Sequence, residues 1–488
     1  MIAMSLAEIS STVGGVLVDA NPQIRVTGTV EYDSRKVTPG GLFVAFAGEH
    51  VDGHDFAHAA VAAGAVGVLG QRAVAGVPCV VVDDPRAALA RLARHVVDRL
   101  PQTTVIGLTG SSGKTTTKDF IAQLVSRAGP TVAPAGSLNN ELGHPYTVLR
   151  ATDATRFLVL EIGARGGGHV RYLCEVAPPR IGAVLNVGTS HIGEFGSVEA
   201  IAAAKGELVE SLPADGVAVL NADDPLVRAM ASRTAARVVY AGEAPDAEVR
   251  ADEVVVDDAG RASYTLVTPD GTARVSLPVP GRHQVGNTLV AAAVALAAGL
   301  PFPDVADGLA ELRVVSARRM DVFERADGVT VIDDSYNANP ASMSAALHAL
   351  AAVGRDRRRI AVLGYMAELG DYERAGHEGV GQLAAELGVD RLIVVGDGAE
   401  PIHHGALSVT GWKGTSVAVA DQDAAIGELH ADLRVGDVVL VKASRYRTWK
   451  VADSLRQKLV EAPGPAVGAP ARHVTSTGAD SPALGQGA

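Results

Sequence analysis

Apolar and polar positions along the chain change their period several times, and the changes divide it into three α/β blocks and a tail. Up to about residue 100, short apolar runs such as Pro78-Cys79-Val80-Val81-Val82 alternate with helical stretches such as Ala57-His58-Ala59-Ala60-Val61-Ala62-Ala63. Residues 1–100 therefore read as one small α/β unit. From 101 to 317 the apolar runs lose their polar alternation, as in Val105-Ile106-Gly107-Leu108, Phe157-Leu158-Val159-Leu160-Glu161-Ile162 and Ile181-Gly182-Ala183-Val184-Leu185-Asn186-Val187. Such strands, separated by helices, predict a parallel sheet covered on both faces. Residues 249–278 then read as an inserted meander, broken by turns at Asp258-Ala259-Gly260 and Pro269-Asp270-Gly271, before a helical stretch over 281–299.

At 318 the strand and helix alternation restarts, with Val329-Thr330-Val331-Ile332, Arg359-Ile360-Ala361-Val362-Leu363, Leu392-Ile393-Val394-Val395 and Val438-Val439-Leu440-Val441 as strands. This predicts a Rossmann-like block over 318–461, although its glycines do not form G-x-G-x-x-G. Residues 462–488 are rich in Pro, Gly and Ala with almost no large apolar side chain, the composition of a disordered tail. A length of 488 residues suits about three cores rather than one.

The picture so far is architectural, and charge narrows the chemistry. With 43 Lys+Arg against 55 Asp+Glu the net charge is -12, which disfavours a nucleic-acid surface and leaves anionic ligands to locally placed cations and helix ends. Cys79 and Cys174 are the only cysteines; both lie in apolar runs and are expected as core fillers of a reducing compartment. The start of the chain has no basic-then-apolar leader, and the most apolar helical run, 288–300, is too short for a bilayer. The expectation is a soluble cytoplasmic protein without membrane insertion, acting as a monomer.

The stretch TVIGLTGSSGKTTTKDF, residues 104–120, runs from a buried strand through Gly110-Ser111-Ser112-Gly113-Lys114-Thr115-Thr116 into a helix. Glycines at 110 and 113 let backbone N–H groups turn toward a triphosphate, Lys114 reaches the β- and γ-phosphates, and the Thr115 hydroxyl suits Mg²⁺. Leu108 stands where the first glycine of the common phosphate-loop spacing would be. ATP is the expected ligand.

Glu161 ends a strand of the same sheet, the edge where α/β sheets meet ligands, and is a candidate Mg²⁺ ligand. His191 finishes the polar turn Asn186-Val187-Gly188-Thr189-Ser190-His191, where an imidazole binds metal, orients phosphate or simply packs. In the helix that follows, Ile201, Leu208, Val209 and Leu212 mark an apolar face, and Lys205 falls on it. A lysine there snorkels or is modified; N-carboxylation by CO₂ would make it an anionic oxygen ligand suited to Mg²⁺. Asp333-Asp334-Ser335-Tyr336-Asn337-Ala338-Asn339-Pro340 contains a helix start, Asn339 with Pro340, but more Asp and Asn than capping needs.

These motifs together resemble those of the Mur ligases, through all three blocks to about residue 460. The resemblance rests on Asp33-Ser34-Arg35 with Gly53-His54-Asp55-Phe56, on the phosphate loop, on Asn139-Asn140-Glu141-Leu142-Gly143, Glu161-Ile162-Gly163-Ala164 and Asn186 onward, and on Ala204-Lys205-Gly206-Glu207 and His283 with Asn287. Asp334-Ser335-Tyr336-Asn337-Ala338-Asn339-Pro340 resembles the type that adds the dipeptide D-alanyl-D-alanine rather than a single amino acid.

The resemblance implies a three-domain architecture: a UDP-sugar domain (1–100), a central ATP and Mg²⁺ domain with the phosphate loop (101–317) and a C-terminal Rossmann-like domain (318–461) that carries the acceptor. It implies ATP-driven joining of D-alanyl-D-alanine to UDP-N-acetylmuramoyl-tripeptide, with Ser34, Arg35, Asn139, Asn140, Tyr336, Asn337 and Asn339 on the substrates. Asn287, Arg319 and Asp334 would serve the base, phosphate and ribose of the nucleotide; Thr115 and Glu161 would hold one Mg²⁺, and His191 with N-carboxylated Lys205 a second. Three positions depart from the family pattern: Tyr365 for a usual Asp, Gln284 for Asn and Ala443 for Gly. The first and third make the acceptor the open question, with selectivity expected around Tyr365 and Ala443 and D-alanyl-D-lactate as the alternative. A folylpolyglutamate synthase shares the architecture and is the rival ligase.

Overall fold

The computed structural model describes residues 1–48 and 50–456, so the tail expected over 462–488 lies outside the described residues. The first sheet has five strands in the order Val16–Val18, Cys79–Val81, Ala65–Gly70, Gly41–Val44, Val30–Glu31, parallel except at the first pair. The helix Pro85–Asp98 begins as its sequence dictates: Asp84 accepts from the amides of Arg86 and Ala87, and Pro85 occupies the first turn. Its buried Leu89 and Leu92 share one core with Leu42 and Leu69 and with Val105, Leu158 and Leu160 of the central sheet. That continuous apolar contact seats the first block on the second.

The central sheet has nine strands. Thr104–Thr109 lies between Ile181–Val184 and Phe157–Glu161, parallel to both. All five residues of Phe157–Glu161 are buried, as a strand covered on both faces requires. Three adjacent carboxyl ends therefore deliver the phosphate loop, Asn186 and Glu161 to one edge of the sheet. The meander is not a separate insertion. Val249–Val256, Arg261–Thr268 and Gly271–Pro280 extend the central sheet beyond Arg237–Gly242, antiparallel to one another. Tyr264, Leu266 and Val275 on its inner face join the core that buries the helix Gln284–Ala297, so alternation along these strands marks a sheet with one covered face.

The third sheet has six strands, with Thr330–Asp333 beside Val438–Lys442, and Val438–Lys442 beside Arg359–Gly364, all parallel. The link from the second block is tied to the phosphate-loop helix Lys114–Ser126. Gln123 exchanges two hydrogen bonds of 3.0 Å with the backbone of Arg313, and Asp119 accepts from the Ser316 amide at 3.2 Å. Both cysteines are free and buried, and burial pushes the Cys174 thiol up to about 12. No helix among the described residues is long and apolar enough to cross a membrane.

Candidate active site

The edges of the second and third sheets face one another across a cleft of about 640 Å³ that runs from the phosphate loop to the carboxyl ends of Thr330–Asp333, Arg359–Gly364 and Val438–Lys442. On the central wall the loop is pinned by Asn186, whose side-chain oxygen accepts from the amides of Ser111 and Ser112 at 3.0 and 2.9 Å, and whose amide donates to Ser112 O. Gly113 begins the helix with φ +78°, and a β-carbon there would stand 2.6 Å from Asn287 Oδ1. Only glycine fits that corner. Lys114 folds back along the loop, donating to Gly110 O at 2.7 Å, and burial lowers its amine below the ordinary lysine value while Glu161 opposes the shift. Ser111, Ser112 and Thr116 line the same cleft.

Glu161 is buried rather than a solvated strand end. One carboxylate oxygen accepts from Thr115 Oγ1 at 2.9 Å; the other accepts from Ser137 Oγ at 2.8 Å and Asn139 Nδ2 at 2.6 Å. These donors satisfy the buried carboxylate and fix its oxygens beside the loop. Lys205 also opens on the cleft. It is 3% exposed and has no ion-pair partner among the described residues. Burial lowers its amine well below the ordinary value, and the neighbouring Lys114 charge adds to the shift.

His191 adopts φ +61° at the start of the turn Ile192–Phe195, and its Nδ1 lies 2.6 Å from Glu368 Oε2 of the third block. His191, Glu194 and Glu368 could together place ligand atoms around one ion. The same seam is closed by Asn339 Nδ2 donating to Ser190 Oγ and by Gly193 N donating to Glu368 O at 3.3 Å.

On the third wall Asp334 reaches the cleft with both oxygens engaged, one by Lys442 Nζ at 2.5 Å and one by the Met320 amide at 3.1 Å. Half-buried His283 faces this pair, and desolvation lowers its imidazole to about 4, so it is neutral at ordinary pH. Arg319 bridges the walls, its guanidinium 4.2 Å from the Tyr336 ring centre and 3.4 Å from Thr115 Oγ1. Asn337 offers its carbonyl to Lys442.

The structure thus brings to one cleft the loop residues, Glu161, His191, Lys205, Asn139, Asn140, Asn287, Arg319, Asp334, Tyr336, Asn337 and Asn339. It does not bring Ser34 and Arg35 there: they lie on the short turn Ser34–Lys36 of the first block, with Arg35 paired to Asp33 and its side chain 87% exposed. Asn140 is occupied locally, its Oδ1 accepting from the Leu142 and Gly143 amides. Asn287 abuts the phosphate loop and donates to Gln284 Oε1; at that position the family-atypical glutamine still supplies an acceptor. Tyr365, around which acceptor selectivity is expected, lines the cleft, but its hydroxyl donates to Glu373 at 2.6 Å, the first carboxylate of the helix Glu373–Glu386.

Sequence reasoning passed over Ser137, Glu368, Lys442 and Arg447. Nothing local marks Ser137, whereas the Leu369-Gly370 turn after Glu368 and the strand end at Lys442 were visible signals.

Three family models match: the Mur ligase family catalytic domain over residues 27–97, the Mur ligase middle domain over 108–295 and the Mur ligase glutamate ligase domain over 318–445. A UDP-N-acetylmuramoyl-tripeptide--D-alanyl-D-alanine ligase of Mycobacterium tuberculosis is 50% identical, with 91% of this chain and 96% of the relative covered. A crystal structure of MurF from Acinetobacter baumannii superposes with a TM-score of 0.82 at 31% identity, covering 93% of this chain and 99% of that one. A MurF ligase from Thermotoga maritima, solved in complex with ADP, superposes with a TM-score of 0.75 at 29% identity over 88% and 97% of the two chains.

Proposed function

The chain belongs to the Mur ligase family, and from that premise we propose that it uses ATP to join D-alanyl-D-alanine to UDP-N-acetylmuramoyl-tripeptide, the last cytoplasmic step toward the peptidoglycan pentapeptide precursor. The observation that carries the reading is the shared edge of the central sheet, where the phosphate loop, a buried carboxylate hydrogen-bonded to Thr115 and a buried lysine with no ion-pair partner among the described residues face a second wall from the third sheet. The 50% identity to a ligase of that name favours this reaction over folate polyglutamylation and over D-alanyl-D-lactate as acceptor.

In the first step the terminal carboxylate of the tripeptide attacks the γ-phosphorus of ATP, ADP leaves, and an acyl phosphate forms. The neutral amine of the dipeptide then adds to the acyl carbon, gives up a proton and expels inorganic phosphate as the amide forms. Two anions must meet in the first step, so positioning and charge neutralisation carry it. Lys114 and the loop amides hold the β- and γ-phosphates. Asn287, Arg319 and Asp334 serve the rest of the nucleotide, Asp334 with the lone pairs that Lys442 and the Met320 amide leave.

The residues present suit Mg²⁺, a cation that prefers hard oxygen donors. Thr115 and Glu161 would hold one ion, and His191 with N-carboxylated Lys205 a second; bound there, the ions offset the repulsion between carboxylate and phosphate. Lys205 fits the modification because burial lowers its amine well below the ordinary lysine value and, among the described residues, no acid pairs with it; its nitrogen adds CO₂ and loses a proton to give the carbamate. Ser34 and Arg35, away from the cleft, suit the UDP end of a long substrate, with the first block, residues 1–100, as its seat.

The test is phosphate release from ATP with UDP-N-acetylmuramoyl-tripeptide, with and without D-alanyl-D-alanine, and the mass of the product. Release that requires the dipeptide and a product heavier by the dipeptide less one water is expected. No release with all three substrates present overturns the reading. Carbon-13 NMR of the protein under labelled CO₂ checks the carbamate independently of turnover.

A further inference from the structure

The third wall of the cleft carries two cations that the phosphoryl transfer leaves unused. After the strand Val438–Lys442 the chain makes a tight turn: Ser444 N donates to Tyr365 O at 2.9 Å, Ser444 Oγ accepts from the Ala367 amide at 2.9 Å, and Arg447 N donates to Ser444 O at 3.1 Å. Between the two arginines of this turn Tyr446 is held at φ +66°, a left-handed conformation that is unfavourable for a bulky residue and persists only where its surroundings over-determine it. Its carbonyl accepts from Gln422 Nε2 at 2.9 Å, its ring packs on Trp449 at a centroid distance of 4.4 Å, and Trp449 Nε1 donates to Ser335 O.

The strained turn puts Arg445 and Arg447 on the cleft. Arg445 lies 5.8 Å from the centre of the Tyr336 ring and Arg447 5.5 Å from that of Tyr365. Both are exposed, and neither has an ion-pair partner among the described residues, although acids outnumber bases in the chain. Glu368 is paired with His191 and feels Arg445 only as a more distant charge.

Two unpaired guanidinium groups on a fixed turn suit a carboxylate, which a planar fork binds in two places. The reaction brings one anion to this side that no other group claims. A dipeptide acceptor turns its amine toward the acyl carbon and leaves its carboxylate about 7 Å away, two residues of extended chain.

Resting on the function proposed above, we infer that Arg445 and Arg447 seat the terminal carboxylate of the acceptor dipeptide and so determine acceptor specificity. The acceptor class is then a short peptide with a free carboxyl end. Arg447 is the more telling member, because Tyr365, where the family usually has Asp, supplies its platform.

The experiment compares kcat/KM for D-alanyl-D-alanine with that for its C-terminal amide, D-alanyl-D-alaninamide, in wild type, Arg445→Gln, Arg447→Gln, the double variant and Arg447→Lys. Wild type is expected to prefer the acid on the order of tenfold to a hundredfold, the worth of charge-assisted hydrogen bonds. The ratio should fall toward one in the double variant through the KM of the dipeptide, with part retained in Arg447→Lys and with ADP affinity unchanged throughout. A wild type that uses acid and amide alike, or a double variant that keeps the wild-type ratio, overturns the inference. Absence of turnover by wild type with either acceptor is a different result, which removes the proposed function itself.

Discussion

The two walls of the cleft hold their charge in opposite ways. On the central wall the buried carboxylate is answered, Glu161 accepting from Thr115, Ser137 and Asn139, the loop backbone is clamped by Asn186, and Lys205, which has no ion-pair partner among the described residues, is buried. On the third wall, Arg445 and Arg447 stand exposed without acid partners among the described residues, and left-handed backbone recurs at Arg318, Met320, Glu368 and Tyr446. The central wall is preorganised, as a site that stabilises developing charge must be. The third is assembled from loops at strand ends and is completed by contacts across the seam. Chemistry and acceptor choice are thereby separated, which gives perturbations of the two walls different signatures.

The largest effect is expected on the central wall. Lys114→Ala should leave the fold intact and lower turnover by on the order of 10²–10³-fold, about 2.7–4 kcal/mol of barrier, since one preorganised contact to the transferring charge is lost. Phosphate release near the wild-type rate would mean that the loop is not where phosphoryl transfer occurs. Lys205→Ala should be nearly as severe. Short carboxylic acids should restore part of its activity by replacing the carbamate oxygens, whereas they should do nothing for Lys114→Ala. Full activity of wild type after bicarbonate is stripped, with the amine shown unmodified, would count against the carbamate.

At the seam, Gly193→Ala tests whether completion of the site depends on docking of the third block. A β-carbon there would stand 2.8 Å from Gly370 N and 3.3 Å from Glu368 O. Gly193 is not in the left-handed region, so alanine costs little within its own block. The damage falls on the contact that brings Glu368 to His191. Because misplacement by about 1 Å costs on the order of 10²-fold, turnover should fall by tenfold or more while ADP affinity holds. Small-angle scattering should show less compaction than wild type when nucleotide and UDP-N-acetylmuramoyl-tripeptide are added. Equal compaction with normal turnover would show that the seam tolerates the extra carbon and does not govern assembly.

The same division explains what could be read from the chain. The phosphate loop, Glu161 and Lys205 were legible because their signals are local: a strand-to-helix turn, a strand end and a lysine on an apolar helix face. Asn186 and Ser137 serve the site from 74 and 24 residues away from their partners, distances over which hydrophobic period carries no information. The cross-seam pairs, His191 with Glu368 and Ser190 with Asn339, depend on how two sheets face each other. Capping also disguised function: Asn339 starts a helix while donating to Ser190, and the Asn140 side-chain oxygen is spent on its own turn. The meander was read as an insertion because alternation reveals one covered face but not which sheet the strands continue.

The smallest effect is expected at Tyr365, where the family difference first suggested selectivity. Its hydroxyl donates to Glu373, and this bond, more than burial, raises the phenol above its ordinary value. What it offers the cleft is its ring, stacked with His377 at 5.2 Å and lying beneath Arg447. Tyr365→Phe keeps both ring contacts and removes only the bond to Glu373, a carboxylate that the N-terminus of its own helix also supports. The variant should lose about 1 kcal/mol of stability and retain the acid-to-amide ratio of wild type, with D-alanyl-D-alanine still preferred over the ester D-alanyl-D-lactate to the same degree. Tyr365→Asp removes the platform as well and sets an anion beside Arg447; it should weaken acceptor binding and lower the acid-to-amide ratio. The pair of variants separates the hydroxyl from the ring. If Tyr365→Phe alone shifts either preference, the hydroxyl reads the acceptor directly, and the third wall selects by a hydrogen bond rather than by the arginines that the ring supports.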